Sequence, residues 1–324
     1  MKKHFFMMML LVLCGRGVAL ATTDTPDTLV VAKDGSGKFT TLWDALEDCR
    51  AFMDYHKVIF VKKGVYKEKV IVPSWLTNIE ILGEDRDETI ITYDDHANLY
   101  IEGTKNKMGT FRSYTVKVEG NDITFKNITL ENNSGRKGQA LALHTEGDRL
   151  KFINCKFLGN QDTIYTGLAG TRLYFEDCYI EGTTDFIFGP SIAWFEGCTI
   201  HSLTNSYVTA ASTPLEYEYG YVFNRCKLTA AEGVNKVFLG RPWRPYAYTL
   251  FMNCELGGHI IPAGWQNWGK VSNEQTARYA EYNNTGAGSS KEGRVAWAKQ
   301  LTKKEAEKVT PEAVFRLNNT WNVK

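Results

Sequence analysis

Two aspartates hold equivalent positions in successive copies of a sequence repeat and could do chemistry as a pair. Asp162 follows Cys155 by seven residues, and Asp185 follows Cys178 by the same interval. If these positions stack on adjacent strands, the two carboxyl groups lie about 5 Å apart. Like charges at that distance are expected to raise one pKa and leave the other low. The pattern suits a general acid beside an ionised nucleophile or base.

Nearby polar residues indicate what such a pair could act on. Gln161 precedes Asp162 and Gln139 lies one repeat earlier; amide donors of this kind suit the oxyanion of acyl transfer. Arg241, followed by a proline, could hold Asp185 in a charge-assisted pair. The pair alone does not select the reaction, because retaining glycosidases use two carboxylates about 5–5.5 Å apart. Aromatic residues that would suit sugar rings are Tyr165, Phe188, Trp243, Trp265 and Trp268.

A recurring phrase predicts the fold that positions these residues. Cysteines in a Phe-x-x-Cys context recur every 20 to 28 residues, and one further copy has Ile128 in place of the cysteine; the cysteines are Cys155, Cys178, Cys198, Cys226 and Cys254. Such a period, with β-branched and aromatic residues, predicts stacked strands. Side chains alternate between the two faces of a strand, so the phenylalanine, three residues before its cysteine, would point to the opposite face if both were on one strand. A corner must therefore precede each cysteine, where five of six residues tolerate left-handed backbone.

We therefore predict an all-β fold, a single-stranded right-handed parallel β-helix, with the cysteines as an inward ladder rather than disulfides. Short helices are expected to cap both ends of the mature chain. Residues 41–52 read as an amphipathic helix that closes the N-terminal end. Near the C-terminus, the capping box Thr302–Glu305 and the pair Thr310–Pro311 predict the starts of two more helices.

The N-terminal residues predict export. Lys2 and Lys3 precede the nine-residue apolar run Phe5–Leu13, and small residues follow at Ala19 and Ala21. This pattern is typical of a secretory signal peptide over residues 1–21, which leaves 22–324 as a single domain. The destination, whether periplasm, cell surface or medium, stays open, as does a lipid anchor at Cys14.

Composition excludes several classes of function. Lys plus Arg number 38 and Asp plus Glu 37, and the resulting net charge of +1 does not give the excess of positive charge that nucleic-acid binding needs. No other apolar run is long enough to span a membrane, and a monomer is the default expectation. No Gly-x-Ser-x-Gly elbow, phosphate loop or His-Glu-x-x-His motif occurs, and no Asp-rich cluster suggests a calcium site.

The motifs together resemble the pectin methylesterase family, carbohydrate esterases built on a parallel β-helix. The resemblance covers nearly all of the mature chain; its segments are 33–39, 64–68, 110–113, 138–143, 159–165, 182–189, 239–243, 264–268 and 281–286. It departs from the family at Thr184, usually Val, at Ile164, usually Leu, and at Tyr114, usually Ala.

The resemblance implies a role for each site residue. Asp185 would attack the C6 methyl ester of a galacturonate unit, and Asp162 would protonate methanol and then activate water. Gln139 and Gln161 would stabilise the oxyanion, and Arg241 would position Asp185. The substrate-binding residues would be Thr110, Tyr165, Phe188, Trp243 and Trp268. The partner implied is methylated pectin, and no metal or organic cofactor is implied.

Competing hypotheses belong to other classes of protein. A polygalacturonase or lyase on the same fold would cut the polymer, although a lyase needs clustered calcium-binding carboxylates. A non-catalytic pectin-binding protein would not require two aspartates in register. A related acyl-thioester hydrolase would use similar oxyanion chemistry, which the exported context disfavours.

Overall fold

The chain winds into successive rungs, and the central rungs each contain one strand from each of three parallel sheets. The computed structural model describes residues 27–53, 55–317, 319 and 321–323; the predicted signal peptide and Cys14 lie outside them. Between the first two strands and the last two strands, which belong to one sheet, consecutive strands of the chain enter different sheets. Every neighbouring pair within a sheet is parallel. The predicted parallel β-helix is thus confirmed, and we name its faces sheet A, sheet B and sheet C.

The strands of the described residues have the following bounds, in the order in which they stack. Sheet A contains Thr28–Val31, Lys57–Val61, Ile79–Gly83, Thr124–Lys126, Leu150–Ile153, Arg172–Glu176, Ile192–Glu196, Tyr221–Asn224, Tyr248–Met252, Arg278–Tyr282 and Lys299–Gln300. Sheet B contains Gly64–Lys67, Thr89–Tyr93, Thr129–Asn132, Lys156–Leu158, Tyr179–Gly182, Thr199–Ser202, Lys227–Ala230 and Glu255–Leu256. Sheet C contains Val70–Val72, Val116–Val118, Leu143–Thr145, Ile164–Thr166, Ile187–Gly189, Tyr207–Ala211 and Phe238–Gly240.

Stacked identical side chains fill the interior of the helix. The repeated phenylalanines of sheet A lie with ring centroids 4.3–5.5 Å apart; they are Phe125, Phe152, Phe175, Phe195, Phe223 and Phe251. The cysteines three residues later are buried and unpaired, as predicted. Each sulfur of this inward ladder contacts a backbone carbonyl of the preceding rung, as Cys178 does with Phe152 at 3.3 Å. The thiols therefore pack as small apolar groups rather than as crosslinks.

A left-handed corner separates sheet A from sheet B at every copy of the phrase. The residue before each cysteine, or before Ile128, has a φ between 49° and 62°. Asparagine, aspartate and glycine occupy five of the six corners and tolerate this backbone. Arg225 is the exception, and its guanidinium bonds Glu196 of the preceding rung. The parity argument from sequence is confirmed at all six corners.

Four α-helices occur in the described chain: α1 over Leu42–Glu47, α2 over Val271–Thr276, α3 over Lys303–Ala306 and α4 over Pro311–Val314. Helix α1 starts at its Thr41 cap as predicted but ends at Glu47, five residues before the predicted end at residue 52. The capping box of α3 and the proline start of α4 are present.

The C-terminal segment lies along the outer face of sheet A, beside its middle strands, rather than over the last rung as expected. Its Val314 and Phe315 pack in one cluster with Trp194. Arg172, buried within a sheet A strand, donates to the carbonyls of Phe315 and Asn319. The expectation that α4 caps the stack is therefore wrong.

Candidate active site

The two aspartates occupy equivalent positions at the turns that lead into adjacent strands of sheet C. Ile164 pairs with Ile187, and each aspartate comes two residues before its isoleucine. Both residues have left-handed backbone, with φ 69° at Asp162 and 52° at Asp185. Hydrogen bonds fix the register, because the Asp162 N–H donates to the carbonyl of Thr184 at 3.1 Å. The predicted stacking on neighbouring rungs is confirmed.

A cavity of about 300 Å³ opens over these aspartates on the outer side of sheet C. Nine of the ten site residues predicted from sequence line it; they are Thr110, Gln139, Gln161, Asp162, Asp185, Phe188, Arg241, Trp243 and Trp268. Tyr165 does not line the cavity but packs against Phe188, with ring centroids 4.9 Å apart. Trp265 was expected among the aromatic residues of the site, yet it is buried in the core and donates to Glu281 at 3.1 Å.

Arg241 holds Asp185 through both carboxylate oxygens. Its Nε donates to Oδ1 at 3.0 Å and its terminal nitrogen donates to Oδ2 at 2.6 Å. The guanidinium lies between the rings of Tyr207 and Trp268, 3.9 Å from each centroid. Tyr207 also accepts the N–H of Asp185 at 2.8 Å through its carbonyl. Two aromatic faces therefore fix the plane of the guanidinium, and a bidentate pair fixes the carboxylate.

The two carboxyl groups differ in their affinity for a proton. Burial and the nearby charge of Asp185 raise the pKa of Asp162 to about 8. Burial also raises the pKa of Asp185, against the opposing pull of Arg241. The expectation that this second pKa stays low is therefore wrong, because burial outweighs the guanidinium. Asp162 is still the group that keeps its proton, since Arg241 bonds Asp185 instead.

Three residues of the site were missed at the level of sequence. Phe111 and Ala210 line the cavity, and Tyr207 clamps Arg241. Phe111 lies in a short 3-10 helix over Thr110–Arg112, is 46% exposed and packs against Tyr165 at 4.8 Å. An aromatic residue directly after the predicted binding residue Thr110 was the available signal.

Tyr207 was missed for a different reason. It is equivalent in register to Asp185, because Ile187 pairs with Thr209. It follows Cys198 by nine residues rather than seven, so counting from the cysteine skips it. The turn that leads into sheet C is longer on this rung, although the pairing between neighbouring strands of sheet C is uninterrupted.

Other kinds of site are not evident in the part of the chain that the structure describes. No group of three or more His, Cys, Asp or Glu side chains there is placed to hold a metal ion. No helix within the same residues has the length and apolar character needed to cross a membrane.

Comparison with known proteins places this arrangement in a family. The Pectinesterase family model matches residues 28–318. The chain belongs to the pectinesterase family. Pectinesterase 31 of Arabidopsis thaliana is 37% identical over 281 residues, which cover 85% of this chain and 88% of that protein. Pectinesterases are carboxylic ester hydrolases, and the resemblance stated from the motifs is confirmed.

Solved structures agree with this assignment. Pectin methylesterase from carrot is similar with a TM-score of 0.83 and 34% identity, over 91% of this chain and 94% of that one. A pectin methylesterase mutant in complex with a hexasaccharide is similar with a TM-score of 0.77 and 27% identity, over 89% and 96% of the chains. The chain spans about half the length of other curated relatives, whose names combine pectinesterase with pectinesterase inhibitor.

Proposed function

We propose that this pectinesterase hydrolyses the C6 methyl ester of galacturonate units with Asp185 as nucleophile and Asp162 as general acid and base. The observation that carries the proposal is the contrast within the pair. Asp185 is held through both oxygens by Arg241, whereas burial and the neighbouring charge raise the pKa of Asp162 to about 8. A proton donor thus stands beside a carboxylate of fixed geometry.

In the first half of the reaction, an oxygen of Asp185 bonds the C6 carbonyl carbon and gives a tetrahedral oxyanion. The side chains of Gln139 and Gln161 line the cavity and supply amide donors for this oxyanion. Collapse breaks the bond to the methoxy oxygen, which takes the proton of Asp162 and leaves as methanol. The galacturonyl group is then attached to Asp185 as a mixed anhydride.

In the second half, water replaces the enzyme on the acyl group. Asp162 is now ionised and accepts a proton from the water, whose oxygen bonds C6. The anhydride bond breaks, Asp185 leaves as a carboxylate beside Arg241, and Asp162 is protonated again. The products are one methanol and one galacturonate carboxyl group per ester, which loses its proton to the solvent, with the polymer uncut.

Aromatic side chains provide the walls for the sugar units. Phe188 and Trp243 meet edge to face with ring centroids 5.8 Å apart, and Trp268 lines the same cavity. Thr110 and Phe111 also line it. Flat apolar rings with interspersed polar groups are suited to polysaccharide binding.

The test is methanol release from highly methylated pectin, with polymer length measured in the same samples. We expect methanol without shortening, and we expect Asp185→Asn to reduce turnover by a factor of about 10⁴, as loss of a nucleophile does. Near-normal release by Asp185→Asn would refute the assigned roles. Shortening without methanol would favour a polygalacturonase or lyase, and neither product would favour a binding protein.

We also propose that the chain is exported after cleavage of residues 1–21, on the strength of the charged, apolar and small-residue pattern there. The expected mature N-terminus is Thr22, which Edman sequencing of the protein from its native host would check. An N-terminus at Met1 in the exported protein would contradict the cleavage, and recovery of the protein only from the cytoplasm would contradict export. The monomeric state remains a prediction for light scattering.

A further inference from the structure

We propose that Tyr221 is a positioning residue for the esterase, because its hydroxyl crosses the interior from sheet A and sets the placement of Phe188, a wall of the catalytic cavity. This inference rests on the proposed function, since it concerns how the polymer is held over the aspartates. Two hydrogen bonds of the tyrosine hydroxyl to sheet C carry it.

The side chain of Tyr221 is fully buried between sheets A and C. Its ring packs edge to face against Phe195, with centroids 6.2 Å apart. Its register partner on the preceding rung is Ala193, whose small side chain leaves room for the ring to lean toward that rung. The hydroxyl oxygen there lies 2.6 Å from that of Thr166 and 3.0 Å from the carbonyl oxygen of Gly189.

These two partners are the last residues of the strands that follow the catalytic aspartates. Thr166 comes four residues after Asp162, and Gly189 comes four residues after Asp185. Backbone pairing between the two strands ends one residue earlier, at Phe188 of the second strand. The tyrosine hydroxyl therefore joins the strands at the point where their own pairing has stopped.

The supply of protons fixes the direction of each bond. The Gly189 carbonyl can only accept, so it takes the single proton of the Tyr221 hydroxyl, and the Thr166 hydroxyl donates to the tyrosine oxygen. A second acceptor, the carbonyl of Phe188, lies 3.3 Å from the same threonine oxygen. If the tyrosine oxygen is removed, this carbonyl becomes the acceptor that remains for the threonine proton. Loss of one oxygen atom in the core therefore acts on the backbone of a residue that lines the cavity.

Tyr221→Phe should move this wall without unfolding the protein. The Gly189 carbonyl keeps the N–H of Ser212 as a donor at 2.9 Å, so no buried carbonyl is left unpaired. The Phe188 ring packs against two others of the site, with centroids 4.9 Å from Tyr165 and 5.8 Å from Trp243. A shift of its backbone therefore changes the surface on which the sugar units lie, whereas the bond between Arg241 and Asp185 is not touched.

The experiment compares kcat and KM for methanol release from highly methylated pectin. In Tyr221→Phe we expect KM to rise about two- to tenfold, the range for loss of one hydrogen bond, and kcat to stay within about a factor of two of wild type. Thr166→Val should also raise KM. The double variant should show less than the product of the two single effects, because both changes remove the same bond. Fully independent effects would contradict the proposed link.

Tyr66→Phe is the matched control. Tyr66 is 1% exposed, and its hydroxyl donates to the carbonyl of Lys62 at 2.8 Å in the N-terminal rungs, so the control loses the same atom and the same kind of bond. Both variants should lower the midpoint of urea unfolding by a similar amount, but Tyr66→Phe should leave KM at the wild-type value. An unchanged KM in Tyr221→Phe, or an equal rise in Tyr66→Phe, would overturn the proposal.

Binding of ester-free oligogalacturonate, measured by calorimetry, separates this inference from the proposed reaction. Tyr221→Phe should weaken that binding by about the factor by which it raises KM. Equal affinity in wild type and Tyr221→Phe would refute the positioning role while leaving the esterase reaction intact. A wild-type protein that binds the oligomer but releases no methanol from pectin would refute the proposed function, and the comparison of affinities would still decide the role of Tyr221.

Discussion

Asp162→Asn should stabilise the protein against unfolding, and the gain should grow with pH. The pKa of the Asp162 carboxyl is about 8 in the fold, against 3.8 for an unperturbed aspartate. Between these values the native state binds more protons than the unfolded state, so the free energy of unfolding falls as pH rises. Asparagine has the same shape without a charge, so it escapes this loss.

The size of the effect follows from the interval between the two pKa values. Each pH unit corresponds to about 1.4 kcal/mol, so an interval of about 4 gives an upper limit of about 6 kcal/mol at pH 8. The difference between Asp162→Asn and wild type should be near zero at pH 4, rise through pH 6 and level off above pH 8. Methanol release by this variant should be lost over the same range, since stability and function conflict at this residue.

Urea unfolding followed by tryptophan fluorescence at pH 4.5, 6 and 7.5 measures the difference. Asp177→Asn is the matched control, because Asp177 is an exposed corner residue with a similar left-handed φ of 52°. Its effect should stay within about 1 kcal/mol at each pH. A gain in Asp162→Asn that is independent of pH, or a loss at pH 7.5, would refute the claim that burial keeps this carboxyl protonated.

Three further predictions follow from the site and the core. Tyr207→Leu should loosen Arg241 and so weaken its lowering of the Asp185 pKa, which should move the acidic limb of the pH profile of kcat/KM up by about 0.5 to 1 pH unit. Tyr207→Phe, which keeps the ring, should leave the profile unchanged. Equal profiles for the two variants would contradict the clamp. Gln161→Ala should lower kcat by about 10²-fold with little change in KM, as for one oxyanion donor, and a change confined to KM would contradict that role. A thiol reagent should modify no buried cysteine of the native protein within minutes, but it should modify six cysteines after the mature chain is unfolded. Modification of fewer than six would indicate a disulfide. The six are Cys49, Cys155, Cys178, Cys198, Cys226 and Cys254.

The repeat made most of the fold predictable. A Phe-x-x-Cys phrase fixes which residues face inward and where the chain must turn, because strand parity is strict. The same periodicity placed Asp162 and Asp185 in register, since both follow their cysteines by seven residues. Local rules of this kind transfer from rung to rung without knowledge of distant contacts.

Contacts between distant parts of the chain were not predictable in this way. Arg172 lies inside a strand and bonds carbonyls of residues more than 140 positions later, which no local pattern indicates. The position of the C-terminal helices depends on that contact and on the apolar outer face of sheet A. The clamp on Arg241 likewise joins Tyr207 and Trp268, which come from different turns of the chain. The pKa of Asp185 depends on a balance between burial and pairing, which requires coordinates to weigh.

The unequal length of the rungs has a consequence for how this molecule can change. Steps between copies of the phrase range from 20 to 28 residues, yet the strands of sheet A stay in register throughout. Extra residues are therefore absorbed in turns, which tolerate insertion because they contribute little to the stacked interior. The walls around the aspartates are built from such turns. Substitutions and insertions in these turns can therefore change which polymer the site binds, one turn at a time, without altering the stacked interior that stabilises the fold.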